Sequence, residues 1–340
     1  MVKFEDVKIT NKVLGKGKSG SVFLAKDSSK NKYAIKIQKL LKKNLVDDSS
    51  SQMWREIHFA TEMNKKYPQF FVELLDFKID DNCTYIHVDE ARKNKNPKTA
   101  MEEIYEKELL ESRYCSIKLW SFVDMNLYEY VNSKKKLDKT IYYDFLIQVC
   151  YIIHLMNKEG FLHTDLHMQN IGMKKTDDES IKIFNCDIPT HKYKIQIIDF
   201  ELILHKNYEL RNWEKKRMQN NSDMFHIIQY FLYDFNDFEK KYELENIHKL
   251  MDFQLTKEYV KILTPILCAN NFAKDKLDFL LKNLYKIMFY ENWQKELLGD
   301  KFVEAIPPRF LVPMEQIIYI MQNLYDPKKI TKYLVKNRNQ

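Results

Sequence analysis

Residues 161–173 read FLHTDLHMQNIGM and set His163, Asp165, His167 and Asn170 between a long apolar segment and a short one. A carboxylate and an amide five residues apart can share the work of an active loop. Asp165 can accept or orient a hydroxyl proton, and Asn170 can bind a metal. Twenty-nine residues beyond Asn170, IIDFE carries Asp199 at the end of an apolar strand. Asp199 adds a second hard oxygen ligand for Mg2+, an ion that keeps most of its waters and takes few protein carboxylates. His163 and His167 also have the i, i+4 spacing of a zinc pair, but that reading needs a continuous helix and a third ligand, and neither is evident.

Two further groups stand out upstream. Half of the six glycines in 340 residues fall within LGKGKSGSV, at Gly15, Gly17 and Gly20. Backbone without Cβ atoms lets amide groups approach phosphate oxygens closely. A dinucleotide-binding reading needs a helix directly after the glycines, whereas SVFLA favours a strand, and the Gly-Lys-Ser/Thr ending of a Walker loop is absent. In YAIKI, Lys36 sits on an apolar strand beside Ala34, Ile35 and Ile37, a position that asks for a partner to its ammonium group. Glu56 on the following helical segment can supply the carboxylate, with Glu62 the rival.

The elements that must hold these groups are legible in outline. VKITNKVLG, SVFLAKD and KYAIKIQ read as strands, and AKDSSKNKY has the residues of a hairpin turn. SSSQMWREIHFATEMNKKYP reads as a helix with a serine N-cap, an apolar side of Trp54, Ile57, Phe59 and Met63, and Pro68 beyond its end. FFVELLDFKI and CTYIHVDE suggest another hairpin, residues 91–112 a charged insertion with a helical second half, and YCSIKLWSFV a strand. TIYYDFLIQVCYIIHLMNKEG is a long apolar helix whose Gly160 suits a left-handed cap. NIGM and KIQIIDFEL are short strands in an otherwise helical remainder, where KLDFLLKNLYKIMFYENW and PMEQIIYIMQNLY read as packing helices. The expected class is α+β in two lobes: a small β-rich lobe over 1–123, with its insertion near 91–112, and a larger helical lobe over 124–340.

Composition excludes several classes. Hydrophobic residues make up 45% and charged residues 30%, so disorder is not expected. The net charge of +7 is scattered without an aromatic-interleaved stripe, which argues for a solvated surface over a nucleic-acid partner. No run of about 18 uncharged apolar residues occurs, so no membrane span is expected. The N-terminus lacks the apolar core of a signal peptide. Cys83, Cys115, Cys150, Cys186 and Cys268 have no metal or redox spacing and read as reduced thiols, which with the missing signal points to the cytoplasm.

The order glycine hairpin, strand lysine, helix glutamate, His-x-Asp-x-x-x-x-Asn and Asp-Phe resembles the protein-kinase-like superfamily over roughly residues 10–235. The resemblance implies a bilobal kinase fold binding ATP and Mg2+ in its cleft. It implies that Gly15, Lys16, Gly17 and Gly20 cover the phosphates, with Val22 and Ala34 beside the nucleotide. Lys36, paired with Glu56, would hold the α- and β-phosphates. Asp165 would be the catalytic aspartate, assisted by His167, and Asn170 and Asp199 the metal ligands. WSFVDMNLYEYV resembles the hinge and would put adenine near Leu119 to Val123, with Leu119 and Phe122 as contacts.

Departures from that pattern are informative. Thr164 replaces the usual arginine, His167 the usual lysine and Glu201 the usual glycine, no Ala-Pro-Glu follows, and only 24 residues separate Asp199 from Asp223 in NNSDMFHIIQYF. Asp-Leu-His-x-x-Asn with Asp-Phe-Glu is similar to aminoglycoside and choline kinases. The short segment, the intact glycine hairpin and the Tyr/Phe/Lys/Asn-rich composition resemble the divergent Ser/Thr protein kinases of poxviruses and other large DNA viruses. That resemblance implies protein Ser/Thr hydroxyls as acceptors and, for a viral protein, the host-cell cytoplasm or the virion. A non-catalytic scaffold is the third reading, although every core catalytic position is filled.

Overall fold

The computed structural model describes residues 2–17, 20–49, 51–83, 99–133, 138–219 and 326–338, with the short pieces 223–224, 233–234, 309–310, 316, 319–320 and 323. It is a mixed α+β structure whose N-terminal region is rich in β-strand. The helix expected at 276–293 and most of the one at 313–325 lie outside the described residues, as does the strand expected at CTYIHVDE apart from Cys83.

Five antiparallel strands form the N-terminal sheet: β1 (Val7–Lys16), β2 (Gly20–Asp27), β3 (Lys32–Leu40), β4 (Leu74–Asp80) and β5 (Tyr114–Ser121), in the order β1-β2-β3-β5-β4. One cross-strand row runs Gly15, Val22, Lys36, Lys118, Phe77, which puts the glycine turn and two lysines in register across the sheet. Side chains alternate between faces. Phe23, Ile35, Ile37, Ile117 and Leu119 accordingly pack together in one apolar cluster, while Lys36, Gln38 and Lys118 turn toward helix α1 (Gln52–Lys66). Gly20 is demanded by the sheet itself, because a Cβ there would stand 2.1 Å from the carbonyl oxygen of Ile37. A Cβ at Gly15 would meet nothing within 4 Å among the described residues.

Helix α2 (Ala100–Glu111) follows Thr99, whose hydroxyl caps the amide of Glu102. β6 (Met125–Asn126) and α3 (Leu127–Asn132) lead into α4 (Lys139–Glu159), which Asp138 caps through the amides of Thr140 and Ile141. α4 ends at Gly160 with φ 89°, the left-handed cap expected from the sequence. Phe145, Ile147, Val149, Ile152, Ile153 and Met156 on α4 are fully buried, each worth roughly 1.5–3 kcal/mol of apolar burial.

Beyond α4 the chain carries more strand than expected. β7 (Phe161–Leu162) pairs with β12 (Leu204–His205), and β8 (Ile171–Lys175) pairs with β6 and β11 (Tyr193–Ile197). An unforeseen hairpin, β9 (Ser180–Ile183) with β10 (Cys186–Pro189), fills the β8–β11 connection. Four residues per strand are too few for a clear period. α5 (Asn212–Gln219) follows β12, and α6 (Pro327–Lys336) packs on α4, where Leu334 and Gln316 meet the Tyr143 hydroxyl.

The expectation that all cysteines are reduced is corrected for two of them. Cys83 and Cys115 form a disulfide, with Cα atoms 5.5 Å apart, between the end of β4 and the start of β5. Their separation of 32 residues has no signature, and only the β4–β5 pairing brings them together. The disulfide also removes the cysteine argument for a reducing compartment. Cys150 is a buried free thiol and Cys186 an exposed one. Among the described residues no helix is long and apolar enough to cross a membrane.

Candidate active site

The site is built around one ammonium group. Lys36 Nζ lies 3.1 Å from Glu56 Oε1, 2.7 Å from Asp199 Oδ1 and 3.6 Å from Glu201 Oε2. Glu56 and Asp199 reach it from α1 and from the turn after β11, 163 residues downstream of Lys36. The rival Glu62 instead pairs with Lys66 one helical turn on, at the surface.

Sequence reasoning missed the second lysine of this cluster. Lys118 is fully buried and donates to the other oxygen of Glu56 and, at 3.1 Å, to Gln38 Oε1. Its signal was the one that singled out Lys36: a lysine inside an apolar strand, SIKLW. Burial opposes the charge on Lys36, yet Asp199, Glu56 and Glu201 raise its pKa well above the usual value. Burial also disfavours the Glu56 carboxylate, but Lys118 and Lys36 together hold its pKa down. For Lys118 burial, with the like charge of Lys36, prevails over Glu56 and Glu201 and lowers the pKa. Asp199 is held at a pKa of about 2 chiefly by the charge of Lys36.

The loop between β7 and β8 is held from both sides. Asp223, fully buried, accepts the amides of His163 and Thr164, both at 2.7 Å. Burial raises its pKa despite those bonds. Thr164 has φ 64°, unusual for a β-branched residue, and its hydroxyl donates to the Leu202 carbonyl at 2.7 Å. His163 is buried with Nε2 3.0 Å from the Ile198 carbonyl. No helix joins His163 to His167, and no group of three metal-ligating side chains occurs among the described residues, so the zinc reading has no geometry.

Asp165 presents a half-exposed carboxylate. Asn170 Nδ2 donates to the Asp165 backbone carbonyl at 2.9 Å, and the same nitrogen lies 3.2 Å from His167 Nε2. His167 Nε2 is 3.8 Å from Asp165 Oδ2. The Ile198 amide donates to the Asn170 carbonyl at 3.0 Å, which ties this loop to the turn carrying Asp199. Asp199 itself has φ 60°, and its side chain remains 46% exposed although it pairs with Lys36. Strain of this kind persists where the surroundings over-determine it, often at functional sites.

Other expected residues divide. Val22 and Ala34 share the sheet face of Lys36 by register and alternation. Lys16 is exposed opposite Ser21 in the glycine hairpin, where the Gly17 amide donates to the Gly20 carbonyl at 2.9 Å. Leu119 packs on the opposite face of the sheet, with Ile35 and Ile117. Strand alternation puts Trp120 on the Ala34 face, where it pairs with Ala34 and meets Phe200 at 5.8 Å between ring centroids. Phe122 is half-buried under the Lys32 ammonium, 5.4 Å from its ring centre.

No protein-family model matches this chain, and no curated protein matches it.

Proposed function

We propose that this chain is an ATP-dependent protein kinase of bilobal protein-kinase-like fold, transferring the γ-phosphoryl group of ATP to protein Ser or Thr hydroxyls. The observation that carries the reading is the Lys36 ammonium held between Glu56 and Asp199, groups from three distant parts of the chain. That arrangement supplies a fixed cation for phosphate oxygens beside an acidic ligand for a metal.

The residues fit Mg·ATP. Asp199 offers a half-exposed carboxylate, and the side-chain nitrogen of Asn170 is engaged by the Asp165 carbonyl, which leaves the side-chain oxygen Oδ1 for a hard cation. Bound Mg2+ would neutralise phosphate charge. Gly15 has open space where a side chain would sit, in the same cross-strand row as Lys36, as a phosphate-covering turn requires. Lys36 would hold the phosphates, Glu56 would keep it in place, and Asp165 would orient the acceptor hydroxyl and take its proton. Trp120 would back the adenine. Catalysis of this kind is positioning and charge neutralisation.

The test is γ-labelled ATP with Mg2+ and a mixed protein panel, beside Asp165→Asn and Lys36→Ala. Label on protein serine or threonine that falls by about 10²-fold or more in either variant supports the reading. Label that never reaches protein, with ADP formed on adding small alcohols, would move the assignment to small-molecule kinases. Full activity in Lys36→Ala would refute the site.

A further inference from the structure

Beside Glu56 on α1 is a second buried charge that the site above does not use. Arg55 Nη1 lies 2.7 Å from Glu214 Oε1 on α5, and the two side chains are only 3% and 4% exposed. Arg55 also donates to the Ser49 carbonyl, and its guanidinium sits 5.2 Å from the centre of the Tyr208 ring. The other oxygen of Glu214 accepts the Arg211 amide at 2.7 Å, which fixes the carboxylate at the start of α5. Both partners are thus oriented by further contacts, and the pair spans 159 residues.

We propose that Arg55 and Glu214 are positioning residues: a built-in carboxylate locks the segment after Asp199 onto α1 and keeps Glu56 against Lys36 without any modification of that segment. The inference rests on the kinase reading only for its effect on turnover. Geometry carries it. Arg55 and Glu56 are adjacent on one helix, so a rotation or shift of α1 that broke the Glu56–Lys36 contact would also tear Arg55 from Glu214. Phe200, next to Asp199, packs on Phe59 of the same helix at 4.7 Å, and Thr164 binds the Leu202 carbonyl. The segment is therefore gripped at both ends, by Phe200 near the acid and by Glu214 downstream. A carboxylate in a buried pair with arginine needs no kinase or phosphatase to create it.

The experiment compares wild type with Glu214→Gln and with the double variant Arg55→Met/Glu214→Met. Single loss strands a buried arginine and can unfold the protein, whereas removing both charges of a buried pair is often neutral for stability. Thermal melting, hydrogen exchange of residues 52–66 and 203–219, and Mg·ATP turnover are measured on each. The double variant is expected to melt within about 3 °C of wild type, to exchange about tenfold faster in both segments, and to lose about tenfold in kcat with little change in KM for ATP. Wild-type exchange in α1 with wild-type kcat in the double variant would overturn the proposal. If wild type itself turns over no ATP, the kinase reading fails, and the exchange data alone still decide whether the pair couples the segment to α1.

Discussion

Two lysines share Glu56, and the consequences for removing each member differ. Glu56→Ala would leave two buried ammonium groups facing one another and is expected to cost about 3–5 kcal/mol in urea unfolding. Lys118→Met leaves Glu56 paired with Lys36, so a smaller loss than in Glu56→Ala is expected. Equal losses in the two variants would contradict this account of the cluster. The Asp199 carboxylate gives a pH signature. Its folded pKa, about 2, lies below the ordinary 3.8, so its pairing stabilises the fold fully above about pH 4 and is lost as pH falls toward 2. Unfolding midpoints of wild type and Asp199→Asn should therefore converge as pH drops through that window. A gap that stays constant from pH 6 to about pH 2 would mean the carboxylate is not held this way.

At the scale of elements, the glycine hairpin separates two demands that look alike in sequence. Gly20 is needed by the fold, because its missing Cβ makes room for the Ile37 carbonyl oxygen. Gly20→Ala should force β2 from β3 and destabilise the protein by about 1–3 kcal/mol or more. Among the described residues nothing crowds Gly15, so under the kinase reading its bare backbone serves a ligand. Gly15→Ala should melt like wild type, yet lose about tenfold in kcat/KM for ATP. Normal melting in Gly20→Ala, or unimpaired ATP use in Gly15→Ala, would break one half of the distinction. The register makes the hairpin relevant to Lys36, since Gly15, Val22 and Lys36 are consecutive in one cross-strand row.

For the whole molecule, the short segment between Asp199 and Asp223 is fastened by charge and packing already present in the chain. Thr164 offers no guanidinium to grip a phosphate, while Arg55 is taken by Glu214. Under the kinase reading, the purified protein should therefore keep its ATP turnover after exhaustive phosphatase treatment. Loss of most of its turnover on that treatment, regained by incubation with ATP, would show that a modification assembles the site instead.

What the sequence by itself determined is local. Apolar alternation marked β1, β2 and β3, an apolar side marked α1, a long apolar run marked α4, and Gly160 marked the left-handed end of α4, because each signal lies within one element. The lysine in an apolar strand and the choice of Glu56 were open to the same reasoning, and Lys118 carried the same signal unread. Tertiary structure decided the rest. Whether Leu119 or Trp120 faces Ala34 depends on the pairing of β5 with β3, where a one-residue shift exchanges the two faces. The meeting of Lys36 with Asp199, the Arg55–Glu214 pair and the Cys83–Cys115 disulfide all join residues far apart in the chain. Such contacts depend on how packed elements cross in space, and no periodicity or spacing within the sequence encodes that crossing.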